Sequence, residues 1–258
     1  MTRKIILAQS PKHLFDVVPV FYKEARRHNI FDHFYIATDR FGSQEDISID
    51  YPNFFGNDIT FILLQKDRQF SSNIKEALKK IDDDIILISC EDYIMMEDNN
   101  KQEFDDAFDF VKNNNEVGFL RLTNNNKIPS ISKKDNYFEM NLAYDYYVSL
   151  QPGIWKTDHL KKTLRDGDDA WKYEITASKI ARNIAKAGGA RSFFVEKDVF
   201  KLKNFLKNGK HYRHYFVDYA IKNNIPINRQ RDVFVKDKEK KIKTIMTFNQ
   251  YLEFVGKC

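Results

Sequence analysis

The chain has 258 residues, a length that fits one large domain or one domain with an appendage. Its hydrophobic content of 42%, with 22 Phe and 13 Tyr, is ample for a packed core and excludes a disordered chain. No apolar run reaches the roughly 18 residues of a membrane span, and the short run Ile5 to Ala8 reads as a first strand rather than a signal peptide. Two cysteines, Cys90 and Cys258, make neither a disulfide framework nor a metal-ligand spacing, so a reducing cytoplasm is the expected compartment. The net charge of +5 is unevenly spread: from Lys197 onward 15 Lys and Arg face 6 Asp and Glu, against 27 and 31 before it. Such asymmetry suggests that the last quarter meets something anionic, or is a solvated lysine-rich surface.

Lys4 to Ala8 reads as strand one, followed by Ser10-Pro11 as N-cap and first turn of a helix to about His28, kinked at Pro19. Phe34 to Thr38 is strand two and ends in Asp39. An irregular connection with Gly42, Pro52 and Gly56 leads to strand three, Ile59 to Leu64. Asn73 and Glu76 give a capping-box-like start to a helix through Ile81, with Ile74, Ala77, Leu78 and Ile81 on one face. Ile85 to Ser89 is a nearly continuous apolar run, the pattern of a strand buried on both faces. Phe104, Ala107, Phe108 and Val111 mark another amphipathic helix, and Val117 to Leu122 returns to strand. Residues 1–122 therefore alternate strand and helix four times, predicting a parallel, nucleotide-binding α/β half. No Gly-x-Gly-x-x-Gly and no Gly-Lys-Ser phosphate loop occurs, which weighs against a dinucleotide enzyme or a kinase.

The second half changes character. Tyr137 to Leu142 and Tyr147 to Leu150 look like mixed strands, Gln151-Pro152-Gly153 a turn, and Asp158 to Leu164 a short helix. Trp171 to Ala187 is a helix closed by Gly188-Gly189, and Arg191 to Glu196 a strand. Lys210 to Lys222 reads as a helix carrying His211 and His214 on one face.

The central strand runs straight into Glu91-Asp92-Tyr93. Two adjacent carboxylates at the carboxyl end of a central strand sit where open α/β sheets bind ligands. Buried unpaired they would be costly, so a positive partner is expected. A divalent cation carrying a phosphorylated ligand suits them, since hard cations combine carboxylate oxygens with substrate phosphates. The alternative is a pair of capping residues at a helix N-terminus.

This layout, with Asp39 ending strand two and the acidic pair ending the fourth, resembles the glycosyltransferase A fold. Ser149-Leu150-Gln151-Pro152-Gly153-Ile154-Trp155, followed by Trp171-Lys172-Tyr173-Glu174, resembles a signature of small bacterial and viral glycosyltransferase-like proteins. In these a strand of that kind precedes a W-x-x-E helix start. The segment Phe70-Ser71-Ser72 through Tyr93 matches as well, and the resemblance covers roughly residues 4–196. It departs in carrying Glu91-Asp92 where the family has Asp-x-Asp.

The resemblance implies an α/β, Rossmann-like mixed sheet flanked by helices, with a catalytic domain at 1–196, divided into a nucleotide-binding half (1–122) and an acceptor half (123–196). A basic C-terminal extension, 197–258, would pack on it. It implies transfer of a sugar from a nucleotide-sugar donor such as a UDP-sugar to a glycan, polysaccharide or lipid-linked saccharide. Mn2+ or Mg2+ held by Asp92, with Glu91, would act as Lewis acid on the leaving diphosphate. Gln9, Ser10 and Asp39 lie where the family holds nucleobase and ribose, and Arg68 and Ser72 precede a helix whose N-terminus could assist phosphate binding. Tyr93 completes the donor set. Glu174 is expected to be the catalytic base, with Asp168 and Asp169 as nearby alternatives. Gln151, Trp155 and Trp171 are expected at the acceptor, and His214 in the metal shell or on the diphosphate. The basic segment offers a peripheral membrane contact, and no nucleic acid is expected. The rival readings are a nucleotidyltransferase and a non-catalytic module that binds an anionic ligand or nucleic acid.

Overall fold

The computed structural model describes residues 3–7, 17–38, 55–65, 69–95, 99–124, 127–207, 211–222, 227, 230, 232–237 and 242–256. Strands β1 (Arg3–Leu7), β2 (His33–Thr38), β3 (Ile59–Leu63) and β4 (Ile85–Cys90) are parallel, with β1 between β2 and β4. After the two-residue β5 (Tyr93–Ile94), β6 (Val117–Arg121) continues the main sheet. The hairpin of β7 (Ser130–Lys134) and β8 (Tyr137–Met140) forms the far edge. Strand β9 (Gly153–Lys156) inserts antiparallel between β4 and β6, and β10 (Arg191–Val195) runs parallel to β6. The order is β3-β2-β1-β4-β9-β6-β10-β8-β7.

Alternate side chains of the central strands serve two cores. Leu87, Leu120, Ile154 and Phe193 pack with α1 (Val18–Arg27) and α3 (Lys101–Asn113) on one face. Ile86, Ile88, Phe119, Trp155 and Phe194 pack with α2 (Phe70–Leu78), α4 (Thr157–Thr163) and α5 (Ala170–Lys186) on the other. A strand that feeds both layers needs apolar residues at every position, which is why Ile85 to Ser89 reads as a continuous run.

Several boundaries move for identifiable reasons. Pro19 stands in the first turn of α1, where its missing N–H costs nothing, and the expected start at Ser10-Pro11 lies outside the described residues. Helix α2 begins at Phe70, three residues before the expected cap; Asn73 is buried in its interior. Residues 147–150 are not a strand. Their backbone groups are met by side chains one turn apart on α5: Glu174 Oε1 accepts from Leu150 N–H at 2.7 Å, and Ser178 Oγ accepts from Val148 N–H at 3.1 Å.

The C-terminal segment contains β11 (Lys203–Asn204), β12 (Leu206–Lys207), β13 (His211–Arg213), α6 (His214–Lys222), β14 (Val233–Asp237), β15 (Ile242–Met246) and α7 (Phe248–Phe254). Strands β12 to β15 form a second sheet, and their apolar cluster with α6 and α7 takes in Val17 and Val20 at the start of α1. The expected single helix from Lys210 is thus a strand running into a helix. His211 lies on β13 and His214 opens α6, so the two do not share a helical face.

Candidate active site

The carboxyl ends of β4 and β6 point the same way, and β9 enters between them. Gly153 is in register with Ile88 on one side and Arg121 on the other, which sets Gln151-Pro152 between the two strand ends. Leu122 N–H donates to the Pro152 carbonyl at 2.9 Å, and Gln151 Nε2 donates to the Tyr93 hydroxyl at 2.6 Å. Gly153 is required by close approach: a Cβ there would lie 2.3 Å from the Phe119 ring.

Glu91 and Asp92 form the turn between β4 and β5. Glu91 is buried, 3% exposed, whereas Asp92 is half-buried. Asn204 Nδ2 donates to Asp92 Oδ2 at 2.9 Å.

Glu174, early in α5, is tied to the same place through Leu150, whose carbonyl lies 3.9 Å from Cys90 Sγ. Burial raises the Glu174 carboxyl above its ordinary value, and the Leu150 N–H bond and the Arg121 charge offset part of that. Arg121 ends β6, is itself buried, and donates from Nε to Thr123 Oγ1 at 3.0 Å. Its pKa is lowered by burial, opposed by Tyr144, Tyr93 and Glu174. The Tyr93 phenol is pushed up by burial and by charge on Cys90, Asp92 and Glu174. The Cys90 thiol is raised by burial and by Asp92, Glu91 and Glu174. Carboxylates, phenol and guanidinium therefore share one field at the strand ends. Perturbed groups gathered in this way mark a candidate site.

Other predicted residues fall elsewhere. Ser72, in the first turn of α2, accepts from Gly167 N–H at 3.2 Å and ties that helix to the loop before α5. Asp169 is the N-cap of α5, accepting from Lys172 N–H at 2.8 Å, and Asp168 is fully buried with Oδ1 3.0 Å from Lys172 Nζ. Trp155, expected at the acceptor, is 1% exposed and packs on Phe119 at 4.2 Å between ring centroids, so its ring is core and offers no face to a sugar. Trp171 is 79% exposed, with Ile175 one turn on also exposed. His214 Nδ1 accepts from Lys236 N–H at 3.4 Å. Among the described residues no group of three or more His, Cys, Asp or Glu is placed to hold a metal ion, so Glu91, Asp92 and His214 do not form a three-ligand set. Gln9, Ser10, Asp39 and Arg68 lie outside the described residues.

Arg121 and Asn204 were not among the expected site residues. The strand-end argument that singles out Glu91-Asp92 applies equally to Arg121 at the end of β6. No local signal marks Asn204, which lies 112 residues from its partner.

No protein-family model and no curated protein matches the chain. Among solved structures, the mannosyltransferase PcManGT from Pyrobaculum calidifontis, in complex with GDP-Man and Mn2+, is similar at a TM-score of 0.52 and 14% identity, over 83% of this chain and 59% of that one. The fold is of the glycosyltransferase A type. TarS 1-349 of S. aureus, in complex with UDP-GlcNAc, matches at 0.48 and 16% identity over 76% of this chain and 56% of its own. The 4-diphosphocytidyl-2C-methyl-D-erythritol synthase of Anaerococcus prevotii matches at 0.45 and 13% identity over 78% and 89%. The chain thus spans just over half the length of the first two. No helix among the described residues is long and apolar enough to cross a membrane.

Proposed function

We propose that this protein is a glycosyltransferase that moves a sugar from a nucleotide-sugar donor to a hydroxyl of a glycan or lipid-linked saccharide. The carrying observation is the meeting of Asp92, Tyr93, Arg121, Gln151 and Glu174 at the carboxyl ends of β4 and β6, on either side of the β9 entry. On this reading residues 1–196 are the catalytic domain and 197–258 an extension of it.

Glu174 acts as general base, taking the acceptor hydroxyl proton while that oxygen bonds to the anomeric carbon and the nucleoside diphosphate leaves with the bonding pair. A raised carboxyl pKa suits this task, because a stronger base gains more from the proton. The Arg121 charge favours the ionised form of Glu174 and so opposes part of the effect of burial. Gln151 and Tyr93, bonded to each other, fix the wall between the donor and acceptor sides. The half-buried Asp92 carboxylate would supply a hard oxygen to Mn2+ or Mg2+, a kind of ion that is commonly held by one or two carboxylates together with substrate phosphates. When bound, such an ion would act as a Lewis acid on the leaving diphosphate. The exposed Trp171 would offer its ring to an acceptor sugar.

A thermal-shift panel of UDP-, GDP-, CMP- and dTDP-sugars, with and without Mn2+, tests the proposal. A donor at 100 times its dissociation constant adds about 2.7 kcal/mol, a shift of roughly 5–10 °C for a chain of this size. Stabilisation by one nucleotide class that requires Mn2+ and disappears in Asp92→Ala is the expected result. Stabilisation by a nucleoside triphosphate and not by any nucleotide sugar would favour the nucleotidyltransferase. No shift from any nucleotide would remove the donor site.

A further inference from the structure

The outer side of α5 combines charge with apolar surface. Lys172, Ile175, Lys179 and Lys186 recur at i, i+3, i+7 and i+14, which sets them along one side of the helix, and all four are exposed. Tyr173, Ala177 and Ala181 hold the opposite side in the core. The acidic side chains nearby are already engaged. Asp168 is buried against Lys172 at 3.0 Å, Asp169 caps α5, Asp166 meets Lys75 at 3.0 Å, and Glu174 accepts from Leu150 N–H. Helix α4 packs beside α5 and adds the exposed Lys161 and Lys162.

The apolar part is concentrated in the same place. Trp171 is 79% exposed and Ile175 66%. The chain before β9 is strapped to α5 by the bonds of Leu150 to Glu174, Val148 to Ser178 and the Tyr144 carbonyl to Arg182 Nη1, and within that strap Tyr146 is 46% exposed. Three of the five large hydrophobic side chains exposed among the described residues therefore lie on α5 or on the chain fastened to it. A solvated face accounts for the lysines but not for an exposed tryptophan and isoleucine beside them. A second copy of this chain is a poor occupant, because a twofold contact would lay one lysine row against another. A bilayer surface matches both parts: Trp and Tyr rings settle at headgroup level, and lysines attract anionic lipids.

We propose that the outer face of α5, with Tyr146 and the α4 lysines beside it, docks on an anionic lipid surface. The proposal deepens the transferase reading, choosing a lipid-linked acceptor over a free glycan, and in that respect rests on it. The first two turns of α5 hold Glu174 toward the strand ends and Trp171 toward solvent, so docking brings the base to the level at which the sugar of a lipid-linked acceptor lies.

The test uses the full chain and vesicles of phosphatidylcholine with or without phosphatidylglycerol, in the absence of donor and acceptor. Of the two tryptophans Trp155 is buried, so a change in indole emission on vesicle binding reports Trp171. The expected result is co-sedimentation with the anionic vesicles alone, a blue shift of the emission, and release by high salt. Replacing both Lys179 and Lys186 by Gln should weaken binding roughly 25-fold, about fivefold for each lysine. Ile175→Ser should weaken it further. Binding without a blue shift, or binding that the Lys179→Gln, Lys186→Gln and Ile175→Ser changes leave at wild-type strength, would assign the contact to another surface such as the basic C-terminal segment and overturn the proposal. No binding to anionic vesicles would overturn it outright. Nucleotide-sugar stabilisation, read separately by thermal shift, keeps the two failures apart: its presence without vesicle binding leaves the transferase and removes the lipid surface, and its absence with vesicle binding does the reverse.

Discussion

His159 gives the fold a measurable weakness toward acid. It lies in α4, 4% exposed, with its ring stacked near Trp155 and Nε2 buried without a hydrogen-bond partner. Burial, with a smaller contribution from the Lys162 charge, lowers its pKa from 6.5 to about 4. The unfolded chain therefore binds a proton that the folded protein refuses between those two values. Stability from this group is fully present above pH 6.5 and is lost as pH falls toward about 4. A difference of that size amounts to about 3 kcal/mol when complete, and about 1 kcal/mol is already lost near pH 5.5. His159→Phe keeps a ring against Trp155 and removes both the titration and the orphaned nitrogen. Urea unfolding of both proteins, followed by circular dichroism at pH 7.5 and in steps to about pH 4.5, isolates the contribution from that of the carboxylates, which titrate in both. Wild type should lose stability relative to His159→Phe as pH falls. Parallel stability curves would refute the burial argument.

The packing around His159 and the titration of Glu174 can be tested in the same way. A Cβ at Gly118 would lie 2.5 Å from the His159 ring, so Gly118→Ala should cost about 1–3 kcal/mol in urea unfolding through overpacking, and much less in a His159→Ala background. Burial raises the Glu174 carboxyl above the ordinary 4.5, so the acidic limb of kcat/KM should titrate above that value and rise with pH as the base ionises. Arg121→Met should move that limb further up by removing the charge that favours the carboxylate. Glu174→Gln should abolish it along with most of the turnover, and a limb that survives Glu174→Gln would assign the base elsewhere.

Much of the sheet was legible because its information is local. Ile85 to Ser89 announces burial on both faces, and the i, i+3, i+4 spacing in α2 and α3 announces their inner faces. What was misread is where a side chain substitutes for a backbone partner. Tyr147 to Leu150 has the apolar content of a strand, yet Glu174 and Ser178 take two of its N–H groups, and no periodicity reveals a donor satisfied from a helix 24 or 30 residues away. The same blindness affects tryptophans. Trp155 and Trp171 look equivalent as sugar platforms, and only the register of β9 against Phe119 shows that one is core while the other stands in solvent.

The candidate site was half legible for a related reason. Residues contributed by strand ends, such as Asp92, follow from topology once the apolar runs are read, and Arg121 would have followed had β6 been treated as β4 was. Asn204 could not follow, because its position depends on a two-residue strand pairing with another two-residue strand, too short for either to carry a hydrophobic pattern. The charge asymmetry of the last quarter suggests an anionic partner or a solvated lysine-rich surface. Asn204 also joins that segment to the Asp92 carboxylate, through a neutral amide that no count of charges would find. The segment's lysines can face solvent while one uncharged side chain bonds the Asp92 carboxylate.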